Sequence, residues 1–201
     1  MKVVTLEIDG KKVKTEEGKT VLQAARNAGI EIPTLCYLEN LEPEGACRFC
    51  MVEVTKGKWP RLVASCCYPV EEGLVVKTST ERINKIRKVL LELILPIAPT
   101  GPHLHLAEKY GLKESRFPLE PTEEPSYCTL CALCVRYCAE IKKWNAVGFR
   151  GRGVDRKIAL IAGVAEQCTL CRECYRICEG GYFSRIAEVF PSLRSKNDDA
   201  E

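Results

Sequence analysis

Twelve of the thirteen cysteines fall into three sets of four. The first set is Cys36, Cys47, Cys50 and Cys66, separated by ten, two and fifteen residues. The second is Cys128, Cys131, Cys134 and Cys138, and the third is Cys168, Cys171, Cys174 and Cys178. Both of these read C-x2-C-x2-C-x3-C. Thiolates are soft donors, and iron–sulfur clusters take four of them each. In a C-x2-C-x2-C run a looped backbone can turn three thiolates onto one cube. The cysteine three residues further on points away and serves the neighbouring cube. The paired motifs therefore predict crossed ligation. Cys128, Cys131, Cys134 and Cys178 would hold one [4Fe–4S] cluster, and Cys168, Cys171, Cys174 and Cys138 the second. Single cysteines far to either side of Cys47-x2-Cys50 suit a [2Fe–2S] loop, with a first gap longer than the four residues of plant-type ferredoxins.

The rival metal is zinc, which favours closed sites built from two C-x2-C pairs rather than triplets. Disulfides do not fit these runs in a chain read as cytosolic. Cys67, beside Cys66, is expected to be an inert buried thiol rather than a spare ligand. Arg136 and Arg176 recur at one motif position, and Arg48 lies inside the first ligand loop. They either tune cluster potential or are solvated residues. His103 and His105 are expected at the surface. No P-loop, dinucleotide fingerprint or Ser/His/Asp set is present, so no catalytic residue is assigned.

The elements that must position the thiols can be read next. Val4, Leu6 and Ile8 alternate with polar residues, as on a half-buried strand. Asp9-Gly10 suits a hairpin turn, and Lys11 to Lys14 returns. Thr20 can cap a helix from Val21 to Ala28, closed by Gly29. Strands follow near 51–55, 61–64 and 74–77. This makes a ubiquitin-like β-grasp over residues 1–80. Thr78 and Glu81 have capping-box spacing and open a longer helix. Its buried face should carry Ile83, Ile86, Val89, Leu90, Leu93 and Ile94. Residues 81–126 then form a helix and Pro-rich connector, with a short helix from His105 to Tyr110. Residues 127–190 hold the two C-x2-C-x2-C-x3-C motifs, which match at seven of twelve positions with a period of 40. Residues 191–201 are a polar tail. The fold class is α+β: a β-grasp [2Fe–2S] domain, then a bacterial-type two-[4Fe–4S] ferredoxin-like domain.

Bulk properties narrow the setting. Hydrophobic content of 46% allows a packed core, but 7% aromatics keep it small and aliphatic. Bound metal can staple such a core. A net charge of +3, with no basic stripe interleaved with aromatics, does not indicate nucleic-acid binding. No signal peptide and no bilayer-length apolar run are seen, so a cytoplasmic chain without membrane insertion is expected.

The stretches from Leu35 to Leu38, Gly45 to Val54 and Pro69 to Gly73 resemble the N-terminal iron–sulfur region of the large electron-wiring subunit of complex I. They are equally similar to the diaphorase small subunit of NAD-linked hydrogenases and the front of iron-only hydrogenases. Glu114 to Phe117, Cys134 to Cys138 and Gly151 to Gly153 match as well. The resemblance implies the same three clusters, on the same twelve cysteines. It also implies two partners, a flavin-containing NAD(P)H-linked subunit and a catalytic, metal-bearing oxidoreductase subunit of hydrogenase, formate dehydrogenase or electron-bifurcating type. A free polyferredoxin carrier is the alternative. Two departures stand out. The family's cluster held by one histidine and three cysteines is expected to be absent, since no cysteine lies between Cys67 and Cys128. The last motif continues Cys178-Glu179 where the family has Cys-Pro.

Overall fold

The computed structural model describes residues 2–99, 101, 103–117, 128–164, 168 and 171–178. The chain forms two compact units, Met1–Leu91 and Glu92–Glu201.

In the first unit, β1 (Val3–Ile8) and β2 (Lys11–Glu16) form the hairpin that alternation and Asp9-Gly10 predict. Both turn residues take positive φ, 48° and 81°. Helix α1 (Val21–Asn27) starts from a full capping box: the Thr20 hydroxyl accepts from Gln23 N–H, and the Gln23 side chain accepts from Thr20 N–H. Strands β3 (Met51–Thr55), β4 (Arg61–Ala64) and β5 (Val75–Lys77) complete a five-stranded sheet in the order β2-β1-β5-β3-β4. Only β1 and β5 run parallel; the other neighbours are antiparallel. This is the grasp arrangement, a mixed α+β domain. The inward sides of β1, β3 and β5 share one core with α1, built on Leu6, Ile8, Val52, Val54, Val76, Val21 and Leu22. Burying each larger aliphatic side chain stabilises the fold by about 1.5–3 kcal/mol.

Helix α2 (Glu81–Ile94) departs from its sequence reading at both cap and face. Thr80, not Thr78, caps it by accepting from Ile83 N–H. Thr78 is committed elsewhere, its N–H and hydroxyl both donating to Asp9. The buried residues are Ile83, Arg87, Leu91 and Glu92, whereas Leu93 is half exposed. Two charged groups thus displace part of the apolar stripe, because each finds partners inside. Arg87 donates to the carbonyls of Phe49 and Met51. In the second unit Glu92 takes a forked ion pair from Arg116 and its carbonyl accepts from Ser115.

The second unit continues with α3 (His103–Lys109), which begins earlier than expected. His103 is 1% exposed and its Nε2 meets the Ala98 carbonyl, so it is not a surface residue. His105 is exposed. Helix α4 (Leu133–Arg136) runs into a π-helical turn at Tyr137–Ile141. An antiparallel hairpin follows, β6 (Val147–Arg150) with β7 (Lys157–Leu160), joined through a 3-10 turn at Gly153–Asp155. Helix α5 (Glu173–Arg176) packs on α4. The Pro-rich stretch 118–127 and the tail 191–201 lie outside the described residues. Among the described residues no helix is long and apolar enough to cross a membrane.

Candidate metal centres

The loop between α1 and β3 carries Cys36, Cys47 and Cys50, and Cys66 follows β4. The grasp sheet brings the four together as two pairs. Cys36 hydrogen-bonds Cys47, whose own N–H reaches Cys36 Sγ at 3.4 Å. The Cys50 and Cys66 sulfurs are 3.3 Å apart. Buried Ser65 ties the second pair, since its N–H and its hydroxyl both donate to the Cys50 carbonyl. Arg87 grips the carbonyls on either side of Cys50 from α2. Sequence reading missed Arg87. Its signal is one arginine between Ile83 and Leu91 at helical spacing, at a place where a surface helix would be apolar.

Within each pair the charge is unequal. The hydrogen bond from Cys36, then the N–H groups of Phe49, Leu35 and Cys36, hold the Cys47 thiol below its ordinary value, and Cys36 is held above it. The hydrogen bond from Cys66, aided by the Cys66 N–H and the Ser65 hydroxyl, lowers Cys50, and Cys66 is raised. Two such pairs of sulfurs suit two metal ions. Gly45 roofs the loop at φ 62°, with a Cβ there falling 3.1 Å from the Cys67 sulfur. Only glycine combines that backbone with that clearance. Cys67 itself is exposed, not buried, and its sulfur lies 3.5 Å from that of Cys66. Arg48 is exposed.

In the second unit the motifs turn through left-handed residues. Ala132 (φ 65°) precedes α4, and Arg172 (φ 50°) holds the equivalent place before α5. Cys128 accepts from Leu130 N–H at 3.4 Å and Cys138 from Ala146 N–H at 3.1 Å. Such N–H donors favour thiolate over thiol. Cysteines of both motifs influence Cys128, Cys134, Cys168 and Cys174. Burial pushes Cys128 up to about 11, and Cys131 and Cys178 add to it. Cys134 is raised by burial and then by Cys174, Cys131, Cys128 and Cys178. Cys174 is pushed up to about 12 by burial, then by Cys168, Cys171 and Cys138. Burial also raises Cys168, followed by Cys138 and Cys171. Cys178 thus acts on Cys128 and Cys134, and Cys138 on Cys168 and Cys174, while Cys174 also acts on Cys134. Cys138, Cys168, Cys171 and Cys174 share one pocket with Tyr137, Lys142, Trp144, Val147 and Arg172.

Arg136 and Arg176 share a motif position but not a setting. Arg136 is 5% exposed and paired with Glu140 at 3.1 Å, whereas Arg176 is exposed. Among the described residues no three His, Cys, Asp or Glu side chains close on a single-ion point. Cluster ligands stand further apart than those of one ion. Buried thiols that repel one another, with N–H groups aimed at their sulfurs, form a donor set chemically suited to cationic iron clusters.

Three comparisons bear on this geometry. Residues 1–81 match the family described as 2Fe-2S iron-sulfur cluster binding domain. The mitochondrial NADH-ubiquinone oxidoreductase 78 kDa subunit of Candida albicans is 35% identical over 180 residues, covering 77% of this chain and 25% of that protein. The NADPH-Fe(3+) oxidoreductase subunit alpha of Geobacter sulfurreducens is 33% identical over 202 residues, covering 89% and 24%. The chain thus spans about a quarter of the length of the curated relatives it matches. A crystal structure of an NAD+-reducing [NiFe]-hydrogenase in the H2-reduced state superposes with a TM-score of 0.67 at 29% identity, over 80% of this chain and 76% of that one.

Proposed function

We propose, from the match of residues 1–81 to the 2Fe-2S iron-sulfur cluster binding domain and the similarity to complex I iron–sulfur subunits, that the chain is an electron-transfer subunit. It relays electrons between a flavin-bearing NAD(P)H-linked subunit and a catalytic, metal-bearing oxidoreductase subunit. Cys36 and Cys47, with Cys50 and Cys66, would hold a [2Fe–2S] cluster between the two pairs. Cys128, Cys131, Cys134 and Cys178 hold one [4Fe–4S] cluster. Cys168, Cys171, Cys174 and Cys138 hold the second, in a bacterial-type ferredoxin-like domain. The observation that carries the reading is the pocket that Cys138 shares with Cys168, Cys171 and Cys174 of the other motif.

Bound clusters supply one-electron acceptors and donors. The chain's own groups do the rest. Ser65 and Arg87 fix the backbone on both sides of Cys50, so that its sulfur is held facing Cys66. The Cys47, Leu130 and Ala146 amides offset thiolate charge. Buried Cys134, Cys138 and Cys174 keep water from the second and third sets. Exchange of the fourth ligand draws the two cubane sites together, which suits hopping between them.

Anoxic affinity purification from the native host tests this, with co-purifying subunits identified by mass spectrometry and iron counted. We expect about ten irons per chain, from one binuclear and two cubane clusters, together with a flavoprotein and a metal-bearing subunit. The same iron on a lone chain would make it a soluble carrier. A colourless chain loaded with zinc would end the electron-transfer reading.

A further inference from the structure

The twelve-residue motifs are near copies, and their differences are not scattered. Three unlike pairs concern charge and polarity near the sulfurs: Ala132 against Arg172, Leu133 against Glu173, and Tyr137 against Ile177. Arg172 and Glu173 sit among the ligands Cys168, Cys171 and Cys174. Tyr137 immediately precedes Cys138, the ligand that the third set borrows. Because the fourth ligand is exchanged, all three polar members fall on one site. Their apolar counterparts, Ala132, Leu133 and Ile177, fall on the other.

The structure shows how the polar members are joined. Tyr137 donates to Glu173 Oε2 at 2.7 Å, and Lys142 donates to the other oxygen of the same carboxylate. The Lys142 ammonium also lies 5.3 Å from the Trp144 ring centroid. Glu173 and Trp144 thereby pin it against the wall of the pocket that Cys138, Cys168, Cys171 and Cys174 line. Arg172 forms part of the same wall. Two cations thus face this site against one carboxylate.

We propose that the two cubane sites are electrically unequal, and that Lys142 and Arg172 make the cluster of Cys138, Cys168, Cys171 and Cys174 the more easily reduced of the two. Reduction adds a negative charge to a site already anionic. A nearby cation favours the reduced form and raises the potential. Electrons that enter the second unit would settle on this cluster first, leaving the cluster of Cys128, Cys131, Cys134 and Cys178 as the lower-potential step. Lys142 and Arg172 act on potential through the ligand sulfurs; they are positioning residues, not catalytic ones. The inference rests on the cluster reading above.

The test is a redox titration followed by electron paramagnetic resonance on the anoxically purified full chain with its clusters, iron being counted in each sample. In the unsubstituted chain the two [4Fe–4S] clusters should reduce at separate midpoints. Lys142→Met and Arg172→Ala should each move the higher midpoint down, leaving the lower one and the [2Fe–2S] midpoint in place. Lys142→Arg should restore the native value. Ala132→Arg puts a cation at the matching left-handed position of the other site and should move the lower midpoint up, narrowing the gap. Coincident midpoints in the unsubstituted chain would overturn the inference. So would Lys142→Met and Arg172→Ala variants of unchanged iron content that shift neither midpoint, or only the lower one. About two irons in the unsubstituted chain, in place of about ten, would instead remove the cubane reading itself.

Discussion

The two units hold their thiols by opposite means. The first has a core of its own, a sheet packed on α1, and only two of the eighteen residues in that core are cysteines, Cys50 and Cys66. Its ligands lie on loops that the sheet brings together, and backbone hydrogen bonds from Ser65 and Arg87 hold one pair in place. In the second unit four of the seven residues of the described core are cysteines: Cys134, Cys138, Cys168 and Cys174. Here the ligands are themselves much of the core. Burial raises the Cys134, Cys168 and Cys174 thiols, so the fold confines groups that carry charge only at a cost unless metal neutralises it. The difference teaches that one unit is a scaffold on which thiols are mounted, whereas in the other the thiols are part of the core itself.

The sharpest way to break this contrast is to remove the iron. Chelation under anoxic, reducing conditions should leave amide exchange slow in β3 and β5. In α4 and β6 it should rise towards that of an unfolded chain. Equal loss of protection in both units would refute the division. A second probe strikes the scaffold. Leu22→Ala removes a fully buried side chain from the grasp core and should cost about 2–5 kcal/mol in urea unfolding of the first unit. The electron paramagnetic resonance of the cubane clusters should be unaffected; its disappearance would show that the second unit draws its stability from the first core. The finest probe is Arg87→Ala. It leaves two buried carbonyls, of Phe49 and Met51, without their guanidinium donor, at about 1–3 kcal/mol. The [2Fe–2S] visible absorption should fall before the sheet unfolds, and Arg87→Lys should recover only part of it, since an ammonium lacks the planar fork. Coincident loss of colour and sheet would make Arg87 a general stabiliser with no particular hold on the ligand loop.

How far the sequence could be read follows from the range of the forces involved. β1 to β5 and α1 were legible because period-two alternation, a Gly turn and a Thr cap are local. The pairing of Cys36 with Cys47 and of Cys50 with Cys66 was not read, since it depends on where the sheet delivers two loops. Arg87 was missed because its partners, Phe49 and Met51, lie more than thirty positions away. Thr78 looked like a cap because its true acceptor, Asp9, lies 69 positions away. Arg136 and Arg176 looked equivalent because a repeat in sequence hides two different surroundings, one closed by Glu140 and the other open to solvent. His103 seemed a surface residue because a Pro-rich stretch gives no sign that the Ala98 carbonyl waits inside.

The exchange of Cys138 and Cys178 proposed above would bear on ancestry and on dissection alike. A chain cut anywhere between Cys138 and Cys168 would keep three members of one ligand set and one of the other, and would own neither. The two repeats could then not be inherited, expressed or lost as separate modules. A duplication that gave rise to them would have become irreversible once the fourth cysteines changed hands.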